Sequence, residues 1–232
     1  MFGWFKRKKK VEMYPIEAVS KASFLEGEMF DRTMEESDPE KTFLAIALVS
    51  LGLGFSDVRR MEKVEGLAEI VTSTNVDILA FDTTLFYMLQ CERFLQRIAD
   101  GDTDYYHIDE DYVDEVVLDH FMTARMFVHS LYAKYYDEDA SKKFMNGAVS
   151  EYILDPRSIA HEVFASRTLR CVGMTDFLKK NDVEIGLQAQ ILLGVHAMGT
   201  YTHMIPAYFE SMNTILERFI DFELPVPGKT DE

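Results

Sequence analysis

The sequence predicts an all-α fold, a single-domain bundle of about eight helices around a long, kinked and buried C-terminal helix. Two observations predict it: apolar residues recur with helical spacing along most of the 232-residue chain, and no stretch alternates as a strand would. A hydrophobic content of 47% is enough for one large core. We therefore predict an arm over residues 1–12, a helical domain over residues 13–222 and a polar tail over residues 223–232.

Helix-capping side chains and proline mark where several helices begin. Asp38 and Asp155 each offer an N-cap oxygen immediately before a proline at the first helical position. Gly52 and Gly54 are predicted to separate the second helix from the third. The predicted helices are residues 15–34, 39–52, 57–72, 75–99, 110–136, 139–153, 157–180 and 183–221.

Two stretches carry no charged side chain, residues 42–56 and residues 185–209. The first is too short to span a bilayer, whereas the second is long enough on length alone, since about 20 apolar residues suffice. Its histidines, glutamines and glycines argue against spanning. We predict instead that residues 185–209 belong to the buried central helix of the bundle.

This C-terminal helix supplies the candidate binding pocket. His196, Thr200 and His203 fall on one face together with small residues that leave space, and bulky apolar residues fall on the opposite face. Pro206 removes one backbone hydrogen bond and predicts a kink. The functional interpretation is a pocket for a small molecule or a metal. The favoured alternative is close packing of another helix, with both histidines bonded to backbone.

Ionisable residues interrupt apolar stripes elsewhere in the chain. Arg167 lies in line with apolar residues of its helix, Asp82 and Glu92 share another apolar stripe, and His120 lies beside a third. An unpaired buried charge is costly, so the sequence predicts an internal bridge between Arg167 and a carboxylate. If these residues converge with the two histidines of the C-terminal helix, they enclose a site with perturbed ionisation.

An acidic linker between two predicted helices imitates a calcium-binding loop. Asp100, Asp102, Asp104 and Asp111 occupy positions 1, 3, 5 and 12 of the pattern. Tyr105 replaces the glycine that bends such a loop. The favoured interpretation is a solvated linker that caps the following helix.

The charge of the chain is distributed unevenly. The total is −16, and removing the +5 of residues 6–10 leaves −16 − 5 = −21 on residues 11–232. The N-terminal arm joins aromatic rings to cations, namely Phe2, Trp4, Phe5, Lys6, Arg7, Lys8, Lys9 and Lys10. Three interpretations follow: a disordered or packed tail, contact with an anionic membrane surface, or direct contact with nucleic acid, which the acidic body opposes.

The predicted location is the cytoplasm, and the membrane interpretation of the arm corresponds to peripheral attachment at the inner face of the membrane. Cys91 and Cys171 lie in apolar helical stretches without metal-ligand spacing, which indicates reduced and packed thiols. No apolar segment of signal-peptide length follows the basic residues.

The leading functional prediction is a non-catalytic acidic adaptor or regulator that binds a partner protein. One alternative is a helical bundle, an enzyme included, that binds a small molecule or a metal. Another is an acidic mimic of nucleic acid that inhibits a nucleic-acid-binding protein. No phosphate-binding loop or nucleophile motif supports other catalysis, and the sequence identifies no cofactor.

The 17 phenylalanines, 13 methionines and 11 tyrosines also favour a homo-oligomer, because surplus apolar surface often ends at an interface.

Overall fold

A computed structural model of the chain describes residues 33–68, 70–71, 76–101, 108–135, 137–154, 160–173 and 183–226. These residues form seven α-helices and no strand, so the all-α prediction is confirmed. The helices are α1 (Thr42–Met61), α2 (Val76–Ala99), α3 (Leu118–Tyr135), α4 (Glu138–Val149), α5 (Ala160–Cys171), α6 (Val183–Gly199) and α7 (Ile205–Phe219). The shorter turns are the 3-10 turn Pro39–Lys41, the helical turn Glu110–Tyr112, and the π turns Val113–Val117, Ser150–Leu154 and Thr200–Met204.

Aspartate side chains cap several of these elements. Asp38 Oδ1 accepts a hydrogen bond from the backbone N–H of Glu40 at 3.1 Å, so the predicted cap at Asp38 is present. Asp109 and Asp137 accept from backbone N–H groups of the helical turns that follow them in the same way. Each cap satisfies a donor that the first helical turn leaves without a partner.

Helix α1 continues through the break predicted at Gly52 and Gly54. A Cβ atom at Gly54 would lie 2.2 Å from Thr84 Oγ1 and 2.9 Å from the carbonyl oxygen of Ala80, so this glycine allows α1 to approach α2 closely. The predicted break was wrong because glycine serves helix packing here. Within the stretch 57–72, predicted as a separate helix, residues 57–61 are the last turn of α1, and residues 62–68 and 70 form non-helical turns.

The central helix of the bundle is α2. Every residue from Leu79 to Leu89 is buried, and α2 contacts α1, α3, α4, α5 and α7. Its aromatic rings reach two of these neighbours: Phe81 stacks on Tyr132 of α3 at 4.0 Å between centroids, and Phe86 stacks on Phe164 of α5 at 4.3 Å. The prediction that the C-terminal helix occupies the centre was therefore wrong.

The predicted C-terminal helix consists of α6 and α7, joined by a π turn. The backbone N–H of Ile205 donates to the carbonyl of Thr200, five residues earlier, which is the π pattern. This irregularity lies immediately before Pro206, where a kink was predicted. One face of α7 is buried along its length, whereas α6 packs mainly on α5 and keeps one face exposed. The prediction of burial was thus wrong for α6.

The chain after α7 folds back onto that helix. Asn213 Nδ2 donates to the carbonyl of Leu224 at 2.7 Å, and Asn213 Oδ1 accepts from the Leu224 N–H at 2.7 Å. The Leu224 side chain is fully buried. The packed structure therefore extends at least to Leu224, inside the segment predicted as a polar tail.

One described segment, Pro39–Met61, is long and apolar enough by length and composition to cross a membrane, with a mean hydropathy of 1.5. Within the fold, 67% of its most apolar window is buried. A core helix of a globular protein has the same properties. The segment exceeds the charge-free stretch 42–56 because α1 continues past Asp57.

Candidate functional site

Helix α6 carries two stripes of side chains on opposite faces. The buried inner stripe consists of Ala189, Leu193 and Ala197 and continues into Thr200, the first residue of the π turn. The outer stripe consists of Leu187, Ile191, Val195 and Met198. The outer residues are 56%, 59%, 66% and 51% exposed, in that order. Each outer residue precedes an inner residue by two positions, so about 200° of helical rotation separates the two stripes. A surface helix normally turns polar side chains to water, and the outer stripe does not.

A buried carboxylate anchors the inner face of α6 to α1. The fully buried Asp57 side chain accepts from Thr200 Oγ1 at 3.2 Å and lies 3.2 Å from His196 Nε2, which donates to it in the Nε2–H tautomer. Arg60, on the next turn of α1, also donates to Asp57. These donors offset the cost of burying the carboxylate. We call this cluster the Asp57 anchor; it holds α6 with its outer stripe toward solvent.

The geometry of the Asp57 anchor differs from that of a catalytic triad. Both oxygens approach the same ring nitrogen: Asp57 Oδ2 lies 3.2 Å and Thr200 Oγ1 3.5 Å from His196 Nε2. A triad needs the carboxylate and the hydroxyl on opposite nitrogens, so that the imidazole can take the hydroxyl proton while the carboxylate orients it. The anchor therefore joins two helices and does not activate Thr200 as a nucleophile.

Arg167 of α5 forms the internal bridge that the sequence predicted. Its Nε donates to Asp82 Oδ1 at 2.7 Å and its Nη1 donates to Glu151 Oε1 at 3.1 Å. The guanidinium also lies over the ring of Phe144, 4.7 Å from its centroid. Burial raises the pKa of the Asp82 carboxyl above its usual value, and the nearby guanidinium opposes that shift. The bridge ties α5 to the central helix α2.

Glu92 pairs with Arg125, which was not among the predicted site residues. Arg125 Nε of α3 donates to both Glu92 carboxylate oxygens, at 2.9 and 3.1 Å. Burial raises the pKa of Glu92, and Arg125 opposes the shift. Arg125 lies between Phe121 and Val128 on the apolar stripe of α3. Arg125 therefore interrupts an apolar stripe as Arg167 does, and helical periodicity alone would have identified it as a buried charge.

The residues of the predicted pocket are distributed over separate contacts. Asp82 and Glu92 lie ten residues apart on α2, about 15 Å along its axis, and each has its own arginine partner. His196 and Thr200 belong to the Asp57 anchor. The structure therefore gives these side chains helix-joining roles.

The two remaining histidines of the predicted pocket lie outside these contacts. His203 is exposed in the π turn between α6 and α7. His120 is half-buried; burial lowers the pKa of its imidazole, and the neighbouring Asp119 opposes that shift. Within the described ranges, no group of three or more His, Cys, Asp or Glu residues is placed to hold a metal ion.

The acidic linker and the basic arm fall largely outside the described residues. This applies to Asp102, Asp104 and residues 1–12. Asp100 Oδ1 accepts from Gln96 Nε2 at 3.1 Å, and Asp111 is exposed in the helical turn after the linker. Calcium binding and membrane contact therefore stay predictions.

A half-open groove of about 540 Å³ lies where the chain folds back after α7. Its acidic lining residues are Asp109, Glu210, Glu217, Asp221 and Glu223. Tyr112 and Phe222 contribute apolar surface, and none of the residues of the predicted pocket lines the groove. Its carboxylates favour cationic groups, whereas the outer stripe carries no charge. The groove and the outer stripe are surfaces of different chemistry.

Asp57 is the main residue of the α6 contacts that sequence reasoning missed. It lies three residues after Gly54 and four before Met61, and both of those neighbours are buried. The helical spacing of α1, continued past Gly54, would therefore have been enough to identify Asp57 as a buried charge. The break predicted at Gly54 instead placed Asp57 at a helix N-terminus, where an acidic side chain needs no partner.

The chain matches no protein-family model, no curated protein and no solved structure in three comparisons with known proteins. The feature with the clearest functional meaning is the outer stripe, an apolar surface held in a fixed orientation by the Asp57 anchor.

Proposed function

We propose that this chain is a non-catalytic helical adaptor or regulator that binds another protein through the outer stripe of α6. One observation carries the proposal: four large apolar side chains in line on one helix, each more than half exposed. Exposed apolar surface costs about 25 cal/mol per Å² relative to burial, and a protein that covers the stripe removes this cost. Because the Asp57 anchor fixes α6, little ordering of the helix is needed on binding.

The surroundings of the outer stripe favour a protein over a lipid surface. Helices that lie on membranes carry Lys and Arg along their polar face, and residues 183–217 contain neither. The net charge of −21 on residues 11–232 also repels an anionic bilayer. An apolar helix face flanked by Gln188, Gln190 and Gly194 instead suits contact with another helix or with a groove.

Photo-crosslinking in cells that make the protein tests this proposal. The photoreactive amino acid benzoylphenylalanine replaces Ile191 and, in a matched control, Met126, which is 49% exposed on α3. We expect a discrete protein adduct from position 191 and none from position 126. Adducts from neither position, or the same adducts from both, contradict the proposal.

The N-terminal arm supports a further proposal about location, namely a cytoplasmic chain held near an anionic membrane. Its support is the sequence of residues 2–10, which joins aromatic rings to five cations. Liposome flotation compares the full chain with a variant in which residues 6–10 are glutamine. Flotation that is lost in the variant and in high salt supports membrane contact, and equal flotation of both proteins contradicts it.

A further inference from the structure

We infer that the protein at the outer stripe is a second copy of this chain, with the two α6 helices antiparallel about a two-fold axis. The inference rests on the proposed function, because it names the partner at the same surface. Three properties of α6 support it: the spacing of its outer residues, its lack of charge and the glycine beside the stripe.

The spacing of the outer stripe makes it self-complementary. In a two-fold dimer, residue i of one copy meets residue j of the other, and j meets i. Ile191 and Val195 centre on position 193, and Leu187 and Met198 centre half a residue away. An axis perpendicular to α6 near position 193 therefore sets Ile191 against Val195 of the second copy. The same axis sets Leu187 against Met198 of the second copy, so every outer residue meets an apolar residue.

The charge distribution also favours a second copy. Two copies of a chain with net charge −16 repel each other, so their contact is least costly where neither presents a carboxylate. Residues 185–209 are such a region, since they contain no charged side chain. A basic partner, in contrast, needs carboxylates along the stripe to complement its charge, and the outer stripe has none.

Gly194 leaves room for a second helix beside the outer stripe. It lies three residues after Ile191 and four before Met198, and a Cβ atom built on it meets nothing within 4 Å. A glycine at this place lets another backbone approach closely, and packed helices lie about 8–10 Å apart. With the axis near position 193, residues 187–199 of α6 lie against the same residues of the second copy, which gives a contact about 20 Å long.

Light scattering during size-exclusion chromatography tests the dimer. We expect light scattering to give the wild-type protein a molar mass of twice the 26.8 kDa of one chain. Val195→Asp places a carboxylate at the centre of the pairing and is expected to raise the dimer Kd by about a hundredfold or more. Met122→Asp is the matched control, because Met122 is 49% exposed on α3, and it is expected to stay dimeric. Circular dichroism of both variants checks that each is folded.

Disulfide crosslinking tests the antiparallel geometry. Copies with Ile191→Cys are mixed with copies with Val195→Cys and then oxidised, because the two positions face each other in the inferred dimer. A disulfide needs Cβ atoms about 3.5–4.5 Å apart, so we expect mixed crosslinks at least about tenfold faster than crosslinks between identical copies. Faster crosslinking between identical copies indicates parallel helices and overturns the geometry.

The remaining outcomes separate the two proposals. A folded Val195→Asp variant that stays dimeric, or a Met122→Asp variant that dissociates, overturns the assignment of the dimer to the outer stripe. A wild type that is monomeric at about 100 µM while position 191 crosslinks to a different protein, or within its own chain, overturns the second copy. Crosslinking of position 191 to a different protein still supports the proposed function. A monomer without any discrete adduct overturns both.

Discussion

Helices α1 and α6 both derive from stretches without charge, yet their surroundings differ. Side chains of α1 such as Ile46, Ala47 and Leu51 are at most 1% exposed and belong to the core, because α2, α3 and α7 cover that helix. Helix α6 packs mainly on α5, and its outer stripe is more than half exposed. A charge-free stretch thus indicates an apolar environment without specifying whether the same chain supplies it.

An introduced carboxylate is expected to give the largest difference in stability between a variant of α1 and a variant of α6. Leu51→Asp buries an unpaired charge in α1 and is expected to lower the free energy of unfolding by about 5 kcal/mol or more. Ile191→Asp exposes its carboxylate to water in the dilute monomer, so we expect a change within about 0.5 kcal/mol. Urea titrations at low protein concentration measure both. Equal losses in the two variants contradict the difference in burial.

Arg167→Ala tests the bridge that fixes α5, the helix on which α6 packs. Removing the guanidinium leaves the buried Asp82 unpaired and is expected to cost about 3–5 kcal/mol near pH 7. The pKa of Asp82 is already raised by burial and rises further without Arg167. A carboxyl whose folded pKa is raised destabilises the fold as pH rises through that pKa, so the loss shrinks on acidification.

Denaturation of Arg167→Ala and of the wild type at about pH 5 and about pH 7.5 measures this pH dependence. The difference in unfolding free energy between the two proteins is expected to be smaller at the lower pH. A difference that grows on acidification contradicts the assignment to Asp82.

Two glycines sharpen the comparison between the helices. Gly54→Ala brings a methyl group into Thr84 and the Ala80 carbonyl, and we expect a loss of about 1–3 kcal/mol from this overpacking. Gly194→Ala meets open space on α6 and is expected to stabilise the monomer by up to about 1 kcal/mol, since alanine favours the helix. Thermal denaturation of both variants shows whether each substitution stabilises or destabilises the fold. A stabilising Gly54→Ala contradicts the close approach of α1 to α2.

The smallest effect is expected at the Asp57 anchor. His196→Gln weakens one contact to Asp57, and a loss of about 1 kcal/mol follows because Thr200 and Arg60 still donate. His203→Gln is the matched control, since His203 is exposed, and its change is expected within about 0.5 kcal/mol. Urea titration measures both variants. A larger loss of stability in His203→Gln than in His196→Gln contradicts the placement of His196 in the Asp57 anchor and of His203 in solvent.

Helical periodicity predicted the fold class and the Arg167 bridge, because a charge on an apolar stripe must find a partner. It failed at Gly54 for a physical reason: glycine both breaks helices and allows them to approach, and only the neighbouring Thr84 distinguishes the two uses. That error also hid Asp57. Partner identity was equally inaccessible at Glu92, since spacing along one helix does not show which arginine faces it.

The prediction that the whole C-terminal helix is buried failed at α6 because a π turn is not visible in periodicity. An uninterrupted α-helix places Ile191 and Met198 on the same face as Ile205, Phe209 and Met212. The extra residue of the π turn shifts the phase by about 100°, so the buried track passes from Thr200 to Ile205. The bulky face is therefore buried along α7 and exposed along α6.

The most direct test of the outer stripe as a binding surface is the reactivity of a cysteine placed within it at increasing protein concentration. Val195→Cys and, as a control, Met122→Cys are labelled with a maleimide, and labelling is followed peptide by peptide so that Cys91 and Cys171 do not interfere. Association through α6 predicts that labelling at position 195 slows by about tenfold or more as the protein concentrates, while position 122 stays constant. Labelling at position 195 that is independent of concentration contradicts coverage of the outer stripe by a second copy.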